Sequence, residues 1–213
     1  MGTNTEIEVK ARIEDHTGCK ARLDDIAGRG SAFLKEDTYW FLSAERLAGE
    51  ALPAKPGALP PSGLRVRREW HTGGGGGAPE QTWVTYKIRE SGPDKRGIEV
   101  NDEHEFEVSS GAEFEGLLAR LGLKKGVYKR KRGWKWNYGN ICAELAEVDG
   151  AVLPDPPRSL GWFVELEILS GPAEANPALG TAKAELLDFL AVIGIAEEKI
   201  EPRYYSQLLF EKE

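Results

Sequence analysis

Charged side chains of one sign recur at every second position in several short segments of this chain. The acidic runs are Glu6/Glu8, Glu103/Glu105/Glu107 and Glu165/Glu167, and the basic runs are Arg65/Arg67 and Lys129/Lys131. A period of two is the pattern of a β-strand, in which successive side chains point to opposite faces. Like charges about 7 Å apart on one strand face repel each other. The pattern therefore predicts several strands that each have one face of a single charge sign.

Apolar and polar residues alternate with the same period in eight segments, which we interpret as strands. The segments are Thr5–Ile13, 37–42, 64–69, 82–88, 103–108, 127–136, 141–148 and 163–169. Hairpin-length connections between them favour a largely antiparallel sheet, and eight antiparallel strands can close around one small ligand. We therefore predict one α+β domain over residues 1–213, a closed eight-stranded antiparallel β-barrel with helices packed outside.

Apolar residues at helical spacing predict two clear helices and two weaker ones. The clear helices are 111–122, with the stripe Phe114, Leu117, Leu118 and Leu121, and 178–193, with the stripe Leu186, Phe189, Leu190 and Ile193. A weaker helix runs from Thr17 to residue 27, and a short one follows Pro202. We interpret all of these stripes as core-facing. Residues 43–62, 71–80 and 151–159, which are rich in Pro or Gly, are interpreted as connections.

The composition excludes several classes of partner. A net charge of −7 and a pI of about 5.2 disfavour nucleic acid, which needs a basic surface. The N-terminus has charges where a signal peptide needs an apolar run, and no stretch approaches the ~20 apolar residues of a membrane-spanning helix. Cys19 and Cys142 are interpreted as unpaired thiols in a reducing cytoplasm, with a disulfide as the alternative. We expect a soluble cytoplasmic protein without a membrane partner, and the sequence leaves a homodimer open.

A strand face of a single charge sign has two explanations. The common one is a solvated face, but solvated sheets usually mix the two signs. Segregated signs are also explained if the acidic rows hold cations and the basic rows hold an anion. Mg²⁺ and Mn²⁺ prefer carboxylate oxygens and often complete their coordination with substrate phosphates, whereas Arg and Lys bind anionic oxygens. The sequence therefore predicts a site for a polyphosphate that is bound through a divalent metal.

The order of the charged segments resembles a known family. Glu6-Ile7-Glu8-Val9-Lys10 matches the ExExK signature of the CYTH family, the triphosphate tunnel metalloenzymes. The later features follow in the family's order: Asp37-Thr38-Tyr39, Leu64-Arg65-Val66-Arg67, Thr85-Tyr86-Lys87, the acidic run 103–107, the basic run 128–132 and Phe163-Val164-Glu165-Leu166-Glu167. The segment 201–209 (EPRYYSQLL) resembles the end of the class IV adenylate cyclase (CyaB-like) branch. The resemblance covers essentially the whole chain.

The resemblance implies a fold, a cofactor and a set of site residues. It implies a triphosphate tunnel in which Mg²⁺ or Mn²⁺ assists an enzyme that acts on a nucleoside or other organic triphosphate. The metal would be held by Glu6, Glu8, Glu165 and Glu167, with Glu105 and Glu144 as secondary candidates. The triphosphate would be bound by Lys10, Arg65, Arg67, Lys87, Lys129, Lys131 and Arg203. Lys129 and Lys131 are chosen by strand parity, and a slip of one residue would put Arg130 and Arg132 inside instead.

Two departures from the family pattern bear on the activity. Ala146 stands where the family has an Asp near the metal, and Glu144 is two positions earlier on the same face. Asn101 or Glu103 stands where the family has an arginine, and the nearest arginine is Arg96. We expect adenylate cyclase activity, which converts ATP to cyclic AMP and pyrophosphate. Hydrolysis of thiamine triphosphate or inorganic tripolyphosphate is the alternative, and a non-catalytic polyphosphate-binding module is a third possibility.

Overall fold

The computed structural model describes residues 4–42, 64–71, 81–91, 97–170 and 178–211. The strands are β1 (Asn4–Ile13), β2 (Ser31–Leu42), β3 (Leu64–His71), β4 (Gln81–Ser91), β5 (Glu99–Val108), β6 (Leu123–Tyr138), β7 (Ile141–Val152) and β8 (Arg158–Ser170). The helices are α1 (His16–Ala27), α2 (Gly111–Arg120), α3 (Ala178–Val192) and α4 (Tyr205–Phe210), with a short 3-10 helix at Glu197–Lys199. The interpretation of 43–62 as a connection concerns residues outside these ranges, as does most of that of 71–80.

The eight strands close into an antiparallel barrel in the order β1-β5-β4-β3-β2-β6-β7-β8, with β8 paired back onto β1. This confirms the predicted fold class. Each predicted strand is present, and most are longer than their alternation indicated. The largest shift of a strand start is that of β2, which begins at Ser31 because it pairs with β6 from Ser31 to Leu42. Hydrogen bonding to two neighbours therefore extends the strand beyond the region of clear alternation.

The helices α1 and α3 cover the outer side of β1 and thereby define which face of the barrel is inside. Ile7, Val9 and Ala11 are buried against one apolar cluster that contains Leu23 of α1 and Leu190 of α3. Complete burial of a Leu or Ile side chain contributes about 1.5–3 kcal/mol. Because successive strand residues point to opposite faces, the intervening charged residues of β1 point into the barrel.

The helix predictions are confirmed with one correction. The stripe of α3 is buried, as predicted, with Leu186, Leu190 and Ile193 fully inaccessible to solvent. In α2 only Leu118 is fully buried, whereas Leu117 and Leu121 are each 50% exposed. The interpretation of the whole α2 stripe as core-facing is therefore wrong. A short helix on the convex outside of a barrel contacts the sheet along one narrow line, which buries a narrower stripe than a groove between two elements does.

The start of α1 and the state of the two cysteines can also be compared with the predictions. Helix α1 begins at His16, one residue before the predicted start, because the Asp15 side chain caps it and accepts a hydrogen bond from the Gly18 backbone N–H at 2.8 Å. Cys19 and Cys142 are free thiols, as predicted. None of the helices in the described part of the chain is long and apolar enough to cross a membrane.

Candidate functional site

Strand register sorts the charged residues between the interior and the exterior of the barrel. On β6 the side chains of Lys129 and Lys131 are inside, where these residues are 6% and 4% exposed. The side chains of Arg130 and Arg132 are outside and 45% and 72% exposed, paired with carboxylates of β7. The parity prediction is therefore confirmed: the lysines and not the arginines of this strand line the interior.

A fully buried carboxylate organises one part of the interior. Asp37 of β2 accepts hydrogen bonds from Arg67 Nε at 2.7 Å and Arg67 Nη2 at 3.0 Å, and Lys129 Nζ lies 3.0 Å from the same carboxylate. Burial acts to raise the pKa of Asp37, but the charges of Arg67 and Lys129 outweigh it and hold this pKa well below its usual range. Asp37 thus fixes two predicted phosphate-binding cations in place.

A second cluster lies on the strands β2, β6, β7 and β8. Glu144 accepts hydrogen bonds from Lys35 and from Lys131, the latter at 3.1 Å, and Lys131 also donates to Glu165. Burial alone would raise the pKa of Glu144, but the charges of Lys131 and Lys35 hold it well below its ordinary value. Lys131 therefore links two carboxylates that were predicted as metal ligands.

The carboxylates of β1 and β8 form the most strongly acidic part of the interior. Glu8 lies opposite Glu167 in the ladder, and Lys10 lies opposite Glu165. Burial, and then the charges of Glu144 and Glu8, raise the pKa of Glu167. Glu6, which is 6% exposed, lies on the same face opposite Asn101 of β5. Glu167 is thus repelled by two other inward-facing carboxylates, and a cation would relieve this repulsion.

Lys10 is the basic residue closest in sequence to the acidic pair. It is 3% exposed and lies on the same face of β1 as Glu8. Burial lowers the pKa of Lys10, although the carboxylates of Glu8 and Glu165 act in the opposite direction. The ammonium group is therefore close enough to interact with these carboxylates and also with Lys129 of β6.

Arg65 and Glu105 are engaged with each other at a different place in the interior. Arg65 Nη2 donates to Thr85 Oγ1 at 2.9 Å and lies 3.4 Å from Glu105 Oε1, and Thr85 donates to the same carboxylate at 2.7 Å. Glu8 faces Glu99, six positions before Glu105 on β5. The structure therefore does not bring Glu105 to the other predicted metal ligands.

Two further predicted site residues are Arg203 and Lys87. Arg203 donates to Glu201 and Glu211, and its side chain is 44% exposed. These contacts pair it with the C-terminal segment, and Glu201 also accepts a hydrogen bond from Arg12 of β1. The backbone of Lys87 lies in β4 opposite Glu103, but its side chain is outside the described part of the structure, as is Arg96.

Ala146 lies in a closely packed part of the barrel wall, two residues after Glu144 on the same face of β7. Ala146 is 2% exposed and lies in the ladders opposite Gly133 and Phe163. A Cβ atom on Gly133 would lie 1.9 Å from the Leu145 carbonyl oxygen, so the backbones approach too closely for a side chain there. Glu144 is already bound by two lysines, and a metal would have to displace at least one of them.

The described side chains of the interior suit a metal ion whose coordination is completed by a bound ligand. They do not suit a metal site made of protein ligands alone. Within the described ranges, no three His, Cys, Asp or Glu side chains are close enough to hold a metal ion. Glu8 and Glu167 are nevertheless opposed, and burial and repulsion raise the pKa of Glu167. Mg²⁺ is commonly held by one or two carboxylates together with substrate phosphates. The donor set fits that arrangement.

Among the described residues of the interior that sequence reasoning missed are three that contact predicted site residues. Lys35 binds Glu144, Asp37 binds Arg67, and Tyr205 of α4 has its ring 5.0 Å from Lys129 Nζ. Lys35 was missed because the predicted second strand began at residue 37, and the preceding residues Phe33-Leu34-Lys35-Glu36 do not alternate between apolar and polar. Asp37 contributed to the resemblance but had no role assigned to it. No pattern in the sequence indicated that α4 reaches the lysines.

The sequence matches no protein-family model and no curated protein. The fold is shared with solved structures. The PH1012 protein of Pyrococcus horikoshii OT3 is 27% identical, with a TM-score of 0.65 over 96% of this chain and 99% of that one. A candidate adenylate cyclase from Vibrio parahaemolyticus is 14% identical, with a TM-score of 0.65 over 98% and 99% of the chains.

A third structure is a candidate adenylyl cyclase from Hippeastrum with a dominant triphosphatase activity. It is 17% identical, with a TM-score of 0.55 over 97% of this chain and 94% of that one. These likenesses confirm the barrel fold. Since one fold can carry several functions, the activity has to be argued from the side chains of the interior.

Proposed function

We propose that the barrel interior binds a triphosphate together with Mg²⁺ or Mn²⁺ and cleaves one of its phosphoanhydride bonds. Hydrolysis of inorganic tripolyphosphate or an organic triphosphate, such as thiamine triphosphate, is the reaction that the described contacts support best. Cyclisation of ATP to cyclic AMP and pyrophosphate is the second candidate.

One observation carries the proposal: an acidic pair and a group of buried cations share the same interior. Glu8 and Glu167 are opposed, and Lys10, Lys129 and Lys131 are each 6% exposed or less. Lys129 already pairs with Asp37, and Lys131 pairs with Glu144 and Glu165. Because an ammonium group can donate three hydrogen bonds, a polyphosphate would add further acceptors to these lysines, and its metal would relieve the repulsion between the carboxylates.

Some residues of the site would position the polyphosphate, and others would stabilise the charge that develops on it. Asp37 holds Arg67 through two hydrogen bonds, which gives that guanidinium one fixed orientation toward an anion. Lys10 and Lys129 would bind non-bridging oxygens as point charges. Preorganised cations of this kind stabilise the charge that develops on the transferred and leaving groups, without reorganising during the reaction.

Glu8 and Glu167, with Glu6 and Glu165 beside them, would hold the divalent cation. When bound, Mg²⁺ or Mn²⁺ would neutralise phosphate oxygens and favour attack at phosphorus. In hydrolysis the oxygen of a water molecule forms a bond to the terminal phosphorus. The bond from that phosphorus to the bridging oxygen breaks, and orthophosphate and the shortened chain leave.

The position of Arg203 favours hydrolysis over cyclisation. Cyclisation requires a nucleoside held with its 3′-oxygen in line with the departing pyrophosphate, and Arg203 is among the cations that the resemblance assigns to the triphosphate. Arg203 is instead engaged by Glu201 and Glu211. Cyclisation stays the second candidate because both lysines of β6 face inward.

The proposal is tested by incubating the purified protein with ATP, tripolyphosphate and thiamine triphosphate in parallel, with Mn²⁺ or Mg²⁺. Orthophosphate, pyrophosphate and cyclic AMP are then separated by chromatography. We expect orthophosphate release that EDTA abolishes, without cyclic AMP. The Glu8→Gln variant, purified in the same way, is the control for contaminating phosphatases and should be inactive.

Other results of this experiment would contradict specific parts of the proposal. Cyclic AMP with pyrophosphate from ATP would replace hydrolysis by cyclisation. No product from any of the three substrates would contradict catalysis, and full activity in excess EDTA or in the Glu8→Gln variant would contradict the metal assignment.

A further inference from the structure

The helix α4 carries an aromatic side chain from outside the barrel sheet to the lysines of the site. Tyr205 is the first residue of α4 and is 8% exposed. Its ring packs edge-on against Phe163 of β8, with 5.0 Å between the ring centroids and an angle of 88°. Phe163 and Val148 form a small apolar cluster with Tyr205 and Leu208. The position of the ring is therefore determined by packing on both strands.

Three lysine amines surround the Tyr205 ring. Lys10 Nζ lies 4.7 Å from the ring centroid, Lys129 Nζ lies at 5.0 Å, and Lys131 Nζ lies at 6.0 Å. Ammonium groups within about 6 Å of an aromatic centroid are attracted to the face of the ring. These are the lysines that the proposed function assigns to the phosphate oxygens, so the ring lies at the edge of that anion site.

The hydroxyl of Tyr205 is buried beside the lysines without a well-formed hydrogen bond to any described residue. Within the described part of the chain, the hydroxyl oxygen makes no hydrogen bond of acceptable geometry. A phenol is protonated at neutral pH and can donate a hydrogen bond, and the Glu165 carboxylate is the nearest acidic group to it. A phenylalanine would fill the same space and keep the contact with Phe163, without an unsatisfied polar atom.

We propose that the Tyr205 hydroxyl donates a hydrogen bond to a non-bridging oxygen of the polyphosphate that is bound by Lys10, Lys129 and Lys131. The inference rests on the proposed function and adds a neutral donor to its set of cations. It also makes α4 part of the binding site. The phenol would add one hydrogen bond from a neutral donor to the contacts that the three ammonium groups make with the oxygens of the polyphosphate.

A different explanation would assign the hydroxyl to Glu165, whose carboxylate is close enough to accept a hydrogen bond from it after a small adjustment. Lys131 already donates to Glu165. The two explanations predict opposite changes when the hydroxyl is removed in the absence of a ligand. Loss of a donor to Glu165 would lower stability, whereas loss of an unsatisfied buried hydroxyl would leave stability unchanged or raise it.

The test compares Tyr205→Phe with the wild type and with Tyr128→Phe. The control residue Tyr128 lies on the outer face of β6, and its hydroxyl donates to Glu36 at 3.0 Å. Inorganic tripolyphosphate with Mn²⁺ is the probe, its dissociation constant is measured by calorimetry, and the melting temperature is measured without ligand. We expect Tyr205→Phe to weaken binding on the order of tenfold, the usual effect of losing a hydrogen bond to a charged group. Its ligand-free melting temperature should be equal to or higher than that of the wild type.

The remaining outcomes separate this inference from the proposed function. Wild-type affinity in Tyr205→Phe, with normal binding by the wild type, would overturn the role of the hydroxyl and leave the proposed function standing. Weaker binding together with a lower ligand-free melting temperature, or an equal loss of affinity in Tyr128→Phe, would also overturn it, because either would assign the effect to structure. Absence of tripolyphosphate binding by the wild type would instead contradict the proposed function itself.

Discussion

Glu8 and Glu167 lie directly opposite each other in the antiparallel ladder between β1 and β8, on the inner face of the barrel. Like charges in directly opposed positions destabilise a strand pair. Burial, and then the charges of Glu144 and Glu8, raise the pKa of Glu167, so the folded protein disfavours the ionised form of this carboxyl. A cation held between the two carboxylates would remove that disadvantage.

The first prediction concerns this pair. Glu167→Gln should abolish metal-dependent turnover while leaving the metal-free protein at least as stable, because the amide keeps the shape and removes one opposed charge. At 100 times its dissociation constant, a ligand adds about 2.7 kcal/mol of stability, so Mn²⁺ with tripolyphosphate should raise the melting temperature of the wild type much more than that of the variant.

Glu147→Gln is the matched control, since Glu147 lies on the outside of β7 and pairs with Arg132. It should behave like the wild type. Full turnover by Glu167→Gln, or the same loss in Glu147→Gln, would contradict the assignment of the inner carboxylates to the metal.

The second prediction uses two neighbouring cations of β6 that face opposite ways. Lys129→Met should weaken tripolyphosphate binding at least tenfold, because a hydrogen bond to a charged group is worth about 1.5–3 kcal/mol. Arg130→Met should change it by less than about twofold, since Arg130 lies outside and pairs with Asp149. Calorimetry with Mn²⁺ measures both. Equal losses would indicate a diffuse charge effect without a defined site.

The barrel itself could be predicted from the sequence because its signal is local and repeated. Period-two alternation from Thr5 to Ile13 identifies β1 and also tells which residues face the helices. The start of β2 at Ser31 could not be predicted in the same way, because it depends on pairing with β6 along its whole length. The exposure of Leu117 depends on how α2 lies on the barrel. The spacing of the apolar residues within α2 does not predict this orientation.

The sequence predicts which kinds of charged residue line the candidate site, but it does not predict which of them bind each other. Alternation places Lys131 and Glu165 inside, but the hydrogen bonds that connect them, and that connect Lys35 to Glu144, follow from the neighbour relations of four strands. Like-charge rows on single strands are therefore partly compensated across the barrel, which reasoning along one strand does not reveal. The place of Tyr205 depends on the packing of α4 and has no sequence signal of its own.

The third prediction concerns the segment that precedes α4. Burial would raise the pKa of Glu201, but hydrogen bonds from Arg203 and Arg12 outweigh it and lower this pKa to about 2. A lowered carboxyl pKa contributes stability that is present above the unfolded-state value, 4.5, and is lost as the pH falls toward 2. Glu201→Gln should thus be less stable than the wild type at pH 7, by on the order of 1–2 kcal/mol once solvent screening of the half-exposed arginines is included.

Urea unfolding of both proteins between pH 7 and pH 3 measures this effect. The difference in the free energy of unfolding should shrink as the pH falls below about 4.5. A difference that stays constant over this range would show that Glu201 acts through packing and not through its charge.

The fourth prediction concerns the two thiols. Burial raises the pKa of Cys19 to about 11 and that of Cys142 to about 12, and only the thiolate reacts with alkylating reagents. Both should therefore be alkylated by iodoacetamide at pH 8 far more slowly in the native protein than in guanidinium chloride, as followed by mass spectrometry. Rapid native labelling of Cys142 would contradict its position on the inner face of β7.

The central claim is that the inward-facing carboxylates and lysines form one metal-dependent site for a polyphosphate. Calorimetric titration of the wild type with tripolyphosphate, with Mn²⁺ and then with EDTA, tests it most directly, with orthophosphate as the comparison ligand. We predict saturable binding at one site per chain that requires Mn²⁺, and orthophosphate binding weaker by about 100-fold or more, as the loss of several charge-assisted contacts implies. Equal affinity for the two anions, or tripolyphosphate binding that is unchanged in EDTA, would contradict it.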